Sequence, residues 1–273
     1  MHRNAVRATM LATAASVALT LTACSGAASS SDATDDLGTL TPGVLKIGTT
    51  SNQKPYAYTE NGKLVGFEVD MARAVAKEAG LKPEFVQEDF SALLPAVANQ
   101  QLDVEFASSS VTAERKKMVN FTHIYFIGYI SVITNESSIT DDPASLKGKK
   151  LGLLQGSIED DYAQKNFPGA TIVRFPDEPS MDQALKAHSV DALFDDAPPA
   201  QALAKANPSM SIPINIEVSD MPVAAAVSKK NPKLLAALNK AIDKVISSGK
   251  WLKIDKKYYP DQPVPKQFEP TDG

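Results

Sequence analysis

Cysteine, histidine and excess positive charge are all scarce in this sequence, and each shortage removes a class of protein. The 273 residues hold one cysteine, Cys24, so no intramolecular disulfide framework can form. The three histidines, His2, His123 and His188, are scattered, and no His/Cys/Asp cluster has the spacing of a metal site. Lys and Arg number 28 against 32 Asp and Glu, a formal net charge of −4, with no basic stripe, so nucleic acid is not an expected partner. No nucleophile, base and orienting group stand in a catalytic pattern, so the chain is not expected to be an enzyme. No membrane-spanning run or signalling domain is read after Tyr259, where Pro260–Gly273 is a Pro-rich tail.

What is present begins with an address. His2–Arg7 carries two Arg and no acid, and Ala8–Ala23 is small, apolar and Thr-rich, which is the build of a secretory signal over residues 1–23. It ends in Leu21-Thr22-Ala23-Cys24, which resembles a bacterial lipobox, so Cys24 is expected to be lipidated. Acyl chains at Cys24 would hold the protein on the extracellular face of the cell membrane, at ~0.8 kcal/mol per buried methylene. Residues 24–39 lack aromatic and large aliphatic side chains until Leu37 and are expected to form a flexible tether. Removing residues 1–23 takes away Arg3 and Arg7 and no acid, so the net charge falls from −4 to −6.

Beyond the tether the pattern is α/β. Val44–Thr50 alternates as a strand, and Ser51–Lys63 reads as a loop turning at Asn61-Gly62. A helix runs from Phe67 to Gly80, then a strand at Pro83–Gln87, a helix from Ser91 and a strand at Leu102–Ser108. Phe121–Thr134 is too long for an ordinary strand and is expected to leave one sheet and enter another. Strands at Lys150–Leu154, Ala170–Phe175 and Val190–Asp195 then alternate with helices at Ser157–Asn166 and Ser180–His188. Ser157-x-x-Asp160 and Ser180-x-x-Gln183 both have the form of capping boxes. A helix opens at Asp196 with Pro198-Pro199, and Val223–Ser228 and Pro232–Ser247 give a last strand and helix.

One stretch, Ser108–Phe121, holds three hydroxyls and then Arg115 in a charged turn. A guanidinium matches a carboxylate bidentately, and hydroxyls fill the remaining lone pairs. Taken alone, the stretch fits a plain polar loop as well as an anion clamp.

The order Pro55-Tyr56, Gly66-Phe67-Glu68-Val69-Asp70-Met71, Asp89-Phe90, Thr112-x-x-Arg115, Gly156-Ser157 and Asp195-Asp196 resembles bacterial extracellular solute-binding proteins of the polar amino-acid class. The resemblance covers about Leu45 to Tyr259 and implies a two-lobed periplasmic-binding-protein-like fold (type II) with two crossover hinge strands, near Tyr125–Tyr129 and Ser219–Val223. Lobe 1 would be 40–126 and 223–262, lobe 2 127–222, and 263–273 the tail.

It further implies that Arg115 grips a ligand α-carboxylate, aided by Ser110 and the Ser108 backbone, while Phe90 stacks on the ligand. Ser157 and the N–H groups at its helix start would add second-lobe contacts to that carboxylate, and Asp196 would receive the α-ammonium. Asp195, Gln53 and Tyr56 complete the implied binding set. Gln53 stands where many relatives carry a stacking aromatic, and Thr50 where several place an acid. Glu105 is a weak further candidate, because strand alternation need not point it toward the Ser108 side.

The implied function is capture of a polar or basic L-amino acid, or a similar zwitterion, and its delivery to an ABC permease with its ATPase. A sensing receptor, or an enzyme like a cyclohexadienyl dehydratase, are the alternatives. No cofactor or metal is expected, and the chain is expected to act as a monomer.

Overall fold

In β1 (Val44–Thr49) the alternation buries Leu45 and Ile47 completely while Val44 and Lys46 stay partly exposed. The structure is a computed structural model and describes residues 37–216, 222–260 and 262–271. The signal segment, Cys24, the tether up to residue 36, and Ser219–Met221 of the expected second crossing lie outside the described residues.

After β1 the expected loop forms a small antiparallel sheet instead: β2 (Asn52–Gln53), β3 (Ala57–Glu60) and β4 (Lys63–Val65). Its turn is Asn61-Gly62, both left-handed (φ 52° and 73°), the pair that closes a two-residue hairpin at least cost. Next, α1 (Phe67–Glu78) buries Phe67, Met71 and Val75 at helical spacing and ends against Gly80 (φ 74°). Gly66, at φ 132°, opens this helix, and a Cβ there would lie 2.0 Å from the Tyr56 carbonyl oxygen. Only glycine lets the small sheet pack so closely on the start of α1.

The alternation continues through β5 (Lys82–Gln87), α2 (Phe90–Ala98) and β6 (Val104–Glu105). The strand expected over 102–108 is therefore shorter than its apolar pattern indicates. The pairing ends at Glu105, and Ser108 further on lies in the left-handed region (φ 56°), outside strand geometry. A single helical turn, α3 (Arg115–Met118), leads to β7 (Asn120–Phe121), β8 (Phe126–Ile127) and β9 (Ile130–Thr134), so the long 121–134 run does change sheets.

The second half repeats the plan with β10 (Lys150–Leu154), α4 (Ile158–Asn166), β11 (Thr171–Phe175), α5 (Glu178–Lys186), β12 (Ala192–Asp196), α6 (Ala197–Ala206) and β13 (Ser211–Ile216). The chain returns through β14 (Pro222–Val223) and β15 (Ala226–Val227) to α7 (Pro232–Ser247) and α8 (Lys250–Tyr258). The first sheet has the order β5-β1-β6-β15-β7 and the second β11-β10-β12-β9-β13. In each, three parallel strands from β-α-β units are extended by two strands that run antiparallel to their neighbours. Between the sheets, β8 and β14 pair antiparallel, Phe126 with Val223 and Ile127 with Pro222.

Two cap expectations need correction. Ser157 accepts a bond from the Asp160 N–H (3.3 Å), but Asp160 does not reciprocate, because its carboxylate is held by Arg174 at 2.6 and 2.7 Å. The cap of α5 is Asp177, which accepts from the Ser180 N–H at 2.8 Å, so Ser180 is inside the helix. Glu178 and Pro179 then occupy its first turn, where proline loses no hydrogen bond.

The first lobe's core gathers Phe67, Tyr125, Trp251 and Phe268. Trp251 donates its indole N–H to the Tyr125 carbonyl at 2.6 Å, and the Phe268 ring lies 4.7 Å from it. The Pro-rich segment after Tyr259 thus packs its one aromatic into the lobe.

Candidate functional site

The site begins where β6 ends. Ser109 donates its hydroxyl to Glu105 Oε1 at 2.8 Å, the Ser110 carbonyl accepts from Arg115 Nη1 at 2.8 Å, and Thr112 Oγ1 accepts from the Arg115 N–H at 3.1 Å. The loop is also stitched to the returning chain, Val111 N–H to Pro222 O at 2.8 Å and Ala224 N–H to Ser109 O at 3.3 Å. Arg115 reaches across to the second lobe, where Nη2 donates to the Gly156 carbonyl at 3.2 Å. Its guanidinium also lies 5.5 Å from the centre of the Phe90 ring. Both guanidinium bonds go to backbone carbonyls, so N–H groups remain for an anion.

Opposite stands the start of α4. Gly156 is left-handed (φ 76°), Ser157 caps, and Ser157, Ile158 and Glu159 of the helix start line the same space. Asp195 and Asp196 end β12. Asp196 is the N-cap residue of α6 but makes no capping bond.

These residues meet around a small cavity of about 20 Å³ between the lobes. Gln53, Phe90, Ser108, Ser110, Arg115, Ser157, Asp195 and Asp196, all expected from the sequence, line it. Tyr56 does not: it is fully buried outside the lining, and its Oη, like Ser108 Oγ, has no hydrogen-bond partner. Glu105 is also absent from the lining, being fully buried and turned onto Ser109. Phe90 serves two purposes, since it packs on the Leu93 and Val97 core as well as facing the cavity.

Two site residues went unread in the sequence. Glu159, on α4, lines the cavity with Oε1 unpartnered. Glu178, on α5, is buried and accepts from Gln53 Nε2 at 2.9 Å. The only signal for either was an acid in a helix's first turn, which a helix dipole explains equally well.

The electrostatics are lopsided. Burial pushes the Asp196 carboxyl well above its usual range, with Glu159 and Asp195 adding to the effect. Asp195 is raised by burial and then by Glu178 and Glu159, and Glu159 by burial. Glu178 is pushed up to about 8 by burial, then by Asp182 and Asp196. Burial lowers the Arg115 guanidinium, against the pull of Glu105 and Glu159. One guanidinium therefore faces several carboxyls that lack a compensating cation. Among the described residues, no group of three or more His, Cys, Asp and Glu side chains has the geometry to hold a metal ion. No helix among them is long and apolar enough to cross a membrane.

Two α/β sheets joined by paired crossing strands, with a guanidinium, a helix start and carboxylates meeting between them, define a type II periplasmic amino-acid-binding fold. Residues 45–261 match the bacterial extracellular solute-binding proteins, family 3, and the chain belongs to that family. It is 29% identical over 244 residues to a probable histidine-binding protein of Campylobacter jejuni, covering 88% of this chain and 93% of that protein. Among solved structures it is similar to an ancestral arginine-binding protein bound to arginine (TM-score 0.76, 35% identity, 80% of this chain and 98% of that one). An ancestral amino acid-binding protein, a precursor of cyclohexadienyl dehydratase, is similar at TM-score 0.72 and 28% identity, covering 80% of this chain and 95% of that one.

Proposed function

We propose that this chain captures a polar or basic L-amino acid between its lobes and delivers it, unchanged, to an ABC permease with its ATPase. Arg115 with Ser110 and the α4 start takes the α-carboxylate, Phe90 stacks on the ligand, and Asp196, with Asp195 beside it, takes the α-ammonium. A zwitterion needs a fixed cation at one end and a carboxylate at the other, and this pairing across the cleft is the observation that carries the reading. The ligand's ends touch different lobes, which is what makes closure depend on binding. The names of the relatives support an amino-acid ligand. Lipidation at Cys24, anchoring at the extracellular face of the membrane and a monomeric state complete the proposal.

A dehydratase reading has one relative in its favour, the precursor of cyclohexadienyl dehydratase. It needs an acid or base beside the substrate; Glu105 is tied to Ser109 away from the cavity lining, whereas Asp195 lines it. The relatives named as amino-acid-binding proteins favour binding, and turnover of a prephenate-like substrate by the purified chain would favour the enzyme.

A thermal-shift screen over the amino acids tests it. A ligand at 100 times its dissociation constant adds ~2.7 kcal/mol to stability and raises the midpoint visibly. A screen in which no amino acid moves the midpoint refutes the proposal.

A further inference from the structure

A cavity of about 470 Å³ lies at the crossing between the sheets. That is within the roughly 300–1,000 Å³ of small-molecule sites. None of its lining residues lines the small cavity around Arg115. Its walls include the crossing run at Phe126 and Tyr129, the start of α6 at Ala197, and Trp251, Asp255 and Phe268. Phe126, Trp251 and Phe268 are buried, while Tyr129 stays 39% exposed. Trp251 directs its indole N–H to the Tyr125 carbonyl, so that donor is not free for the cavity.

Aromatic walls alone would describe an imperfectly filled core. The acid among them marks a built site. Asp255 follows Trp251 by one turn on the buried face of α8, lines the cavity and is 4% exposed. Among the described residues no hydrogen bond reaches its carboxyl; Oδ2 is sealed off, and Oδ1 is the oxygen left open. Burial pushes the carboxyl up to about 6, against the pull of Lys256. Lys256 does not pair with it, because its Nζ donates to the Pro260 and Gln262 carbonyls at 3.3 and 2.5 Å. No Lys, Arg or His lines the cavity. A buried carboxylate without donor or cation is costly, so a donor from outside the chain completes the arrangement.

We propose that this cavity is a second ligand site, for a primary ammonium carried on an apolar or aromatic body, with Asp255 as its counter-ion. The proposal goes beyond the amino-acid reading of the cleft and does not rest on it. An ammonium brings three N–H donors and a positive charge to a carboxyl that has neither. The surrounding rings add to the attraction, since a cation over an aromatic face is held by the ring quadrupole. The apolar body buries itself against Phe126, Trp251 and Phe268. A free amino acid is disfavoured, because its carboxylate would enter a cavity whose lining holds no cation.

Trp251 is the one tryptophan in the sequence, so its fluorescence reports on the cavity itself. The purified chain is titrated with phenethylammonium and with phenethyl alcohol, which has the same skeleton and no charge, and calorimetry runs beside the fluorescence. The ammonium is expected to bind ~10-fold or more tighter than the alcohol, as a charged, hydrogen-bonded pair allows. Asp255→Asn keeps the shape of the side chain and should weaken the ammonium by ~10-fold or more, and the alcohol by less than about 3-fold. If Asp255→Asn does not fold, the wild-type pair of titrations and Tyr129→Ala decide; the latter changes an exposed wall and should weaken the ammonium by ~3-fold. Equal binding of ammonium and alcohol overturns the site, as does an ammonium affinity that the substitution leaves unchanged. Absence of any signal from the ammonium at millimolar concentration, in fluorescence and calorimetry both, also overturns it. None of these outcomes touches the amino-acid reading, which the thermal-shift screen tests separately.

Discussion

Arg115→Ala is the most informative single substitution. The guanidinium has five N–H donors and directs two bonds to the Ser110 and Gly156 carbonyls, so its remaining donors can meet a ligand carboxylate. Removing it leaves that carboxylate desolvated without its cation, which costs ~2–5 kcal/mol of affinity. The dissociation constant then rises between about 30-fold and several thousand-fold, at ~1.4 kcal/mol per factor of ten. One effect works the other way. The bond to Gly156 O also joins the lobes without ligand, and losing it relieves a competing closed state by ~0.5–1.5 kcal/mol. With a typical compensation of ~1 kcal/mol the net loss is ~1–4 kcal/mol, a rise in the dissociation constant of about 5-fold or more. Arg115→Lys keeps the charge but not the fork, and should fall between the variant and the wild type. Titration calorimetry with the amino acid returned by the thermal screen reads all three, with circular dichroism as the check that each is folded. A folded Arg115→Ala that binds within about 3-fold of wild type refutes the clamp.

Two further predictions concern what holds the site in place. Glu68 is fully buried and accepts from the Tyr125 hydroxyl at 2.7 Å, and burial raises its carboxyl from 4.5 to about 8. The folded chain thus holds a proton that the unfolded chain releases, so this stabilisation is complete below 4.5, declines as pH rises, and is gone once pH passes about 8. Glu68→Gln should flatten the fall in urea-unfolding free energy across that window, while the slopes from Glu105, Glu178, Asp195 and Asp196 persist; an unchanged slope contradicts the assignment. Phe268 is 2% exposed against Trp251 although it lies in the Pro-rich segment. Phe268→Ala should lower unfolding free energy by ~3–5 kcal/mol in denaturant titrations, and a loss below ~1 kcal/mol would show that the segment is not part of the core.

The residues that meet around the cavity were legible because each stands in local chemistry: a Thr-x-x-Arg turn after a Ser run, a Gly-Ser helix start, an Asp pair closing a strand. The acids Glu159 and Glu178 were not legible. Each sits in a helix's first turn, where a negative charge is ordinary, and its place beside first-lobe residues is a tertiary feature with no local pattern. The strand–helix alternation gave both sheets, since α1 and α7 carry clear apolar stripes and the central strands are rich in β-branched and aliphatic residues. Short polar strands left no period, which is why β2 to β4 read as loop although their Asn-Gly turn was visible. At 102–108 the apolar pattern outruns the ladder, because Phe106 and Ala107 are buried beyond the last paired residue, Glu105. At α5 two cap motifs overlapped, and Asp177 prevailed over Ser180 because Glu178-Pro179 suits the first turn.

The proposed site has two poles, and the most direct measurement removes one pole of the ligand at a time. Calorimetric titration of the wild-type chain with the preferred L-amino acid, its α-amide and its Nα-acetyl derivative should show one tight ligand. Both derivatives should be weakened by ~30-fold or more, the amide through Arg115 and the acetyl form through Asp196. If either derivative binds as tightly as the parent amino acid, the corresponding pole is not part of the site and the account is contradicted.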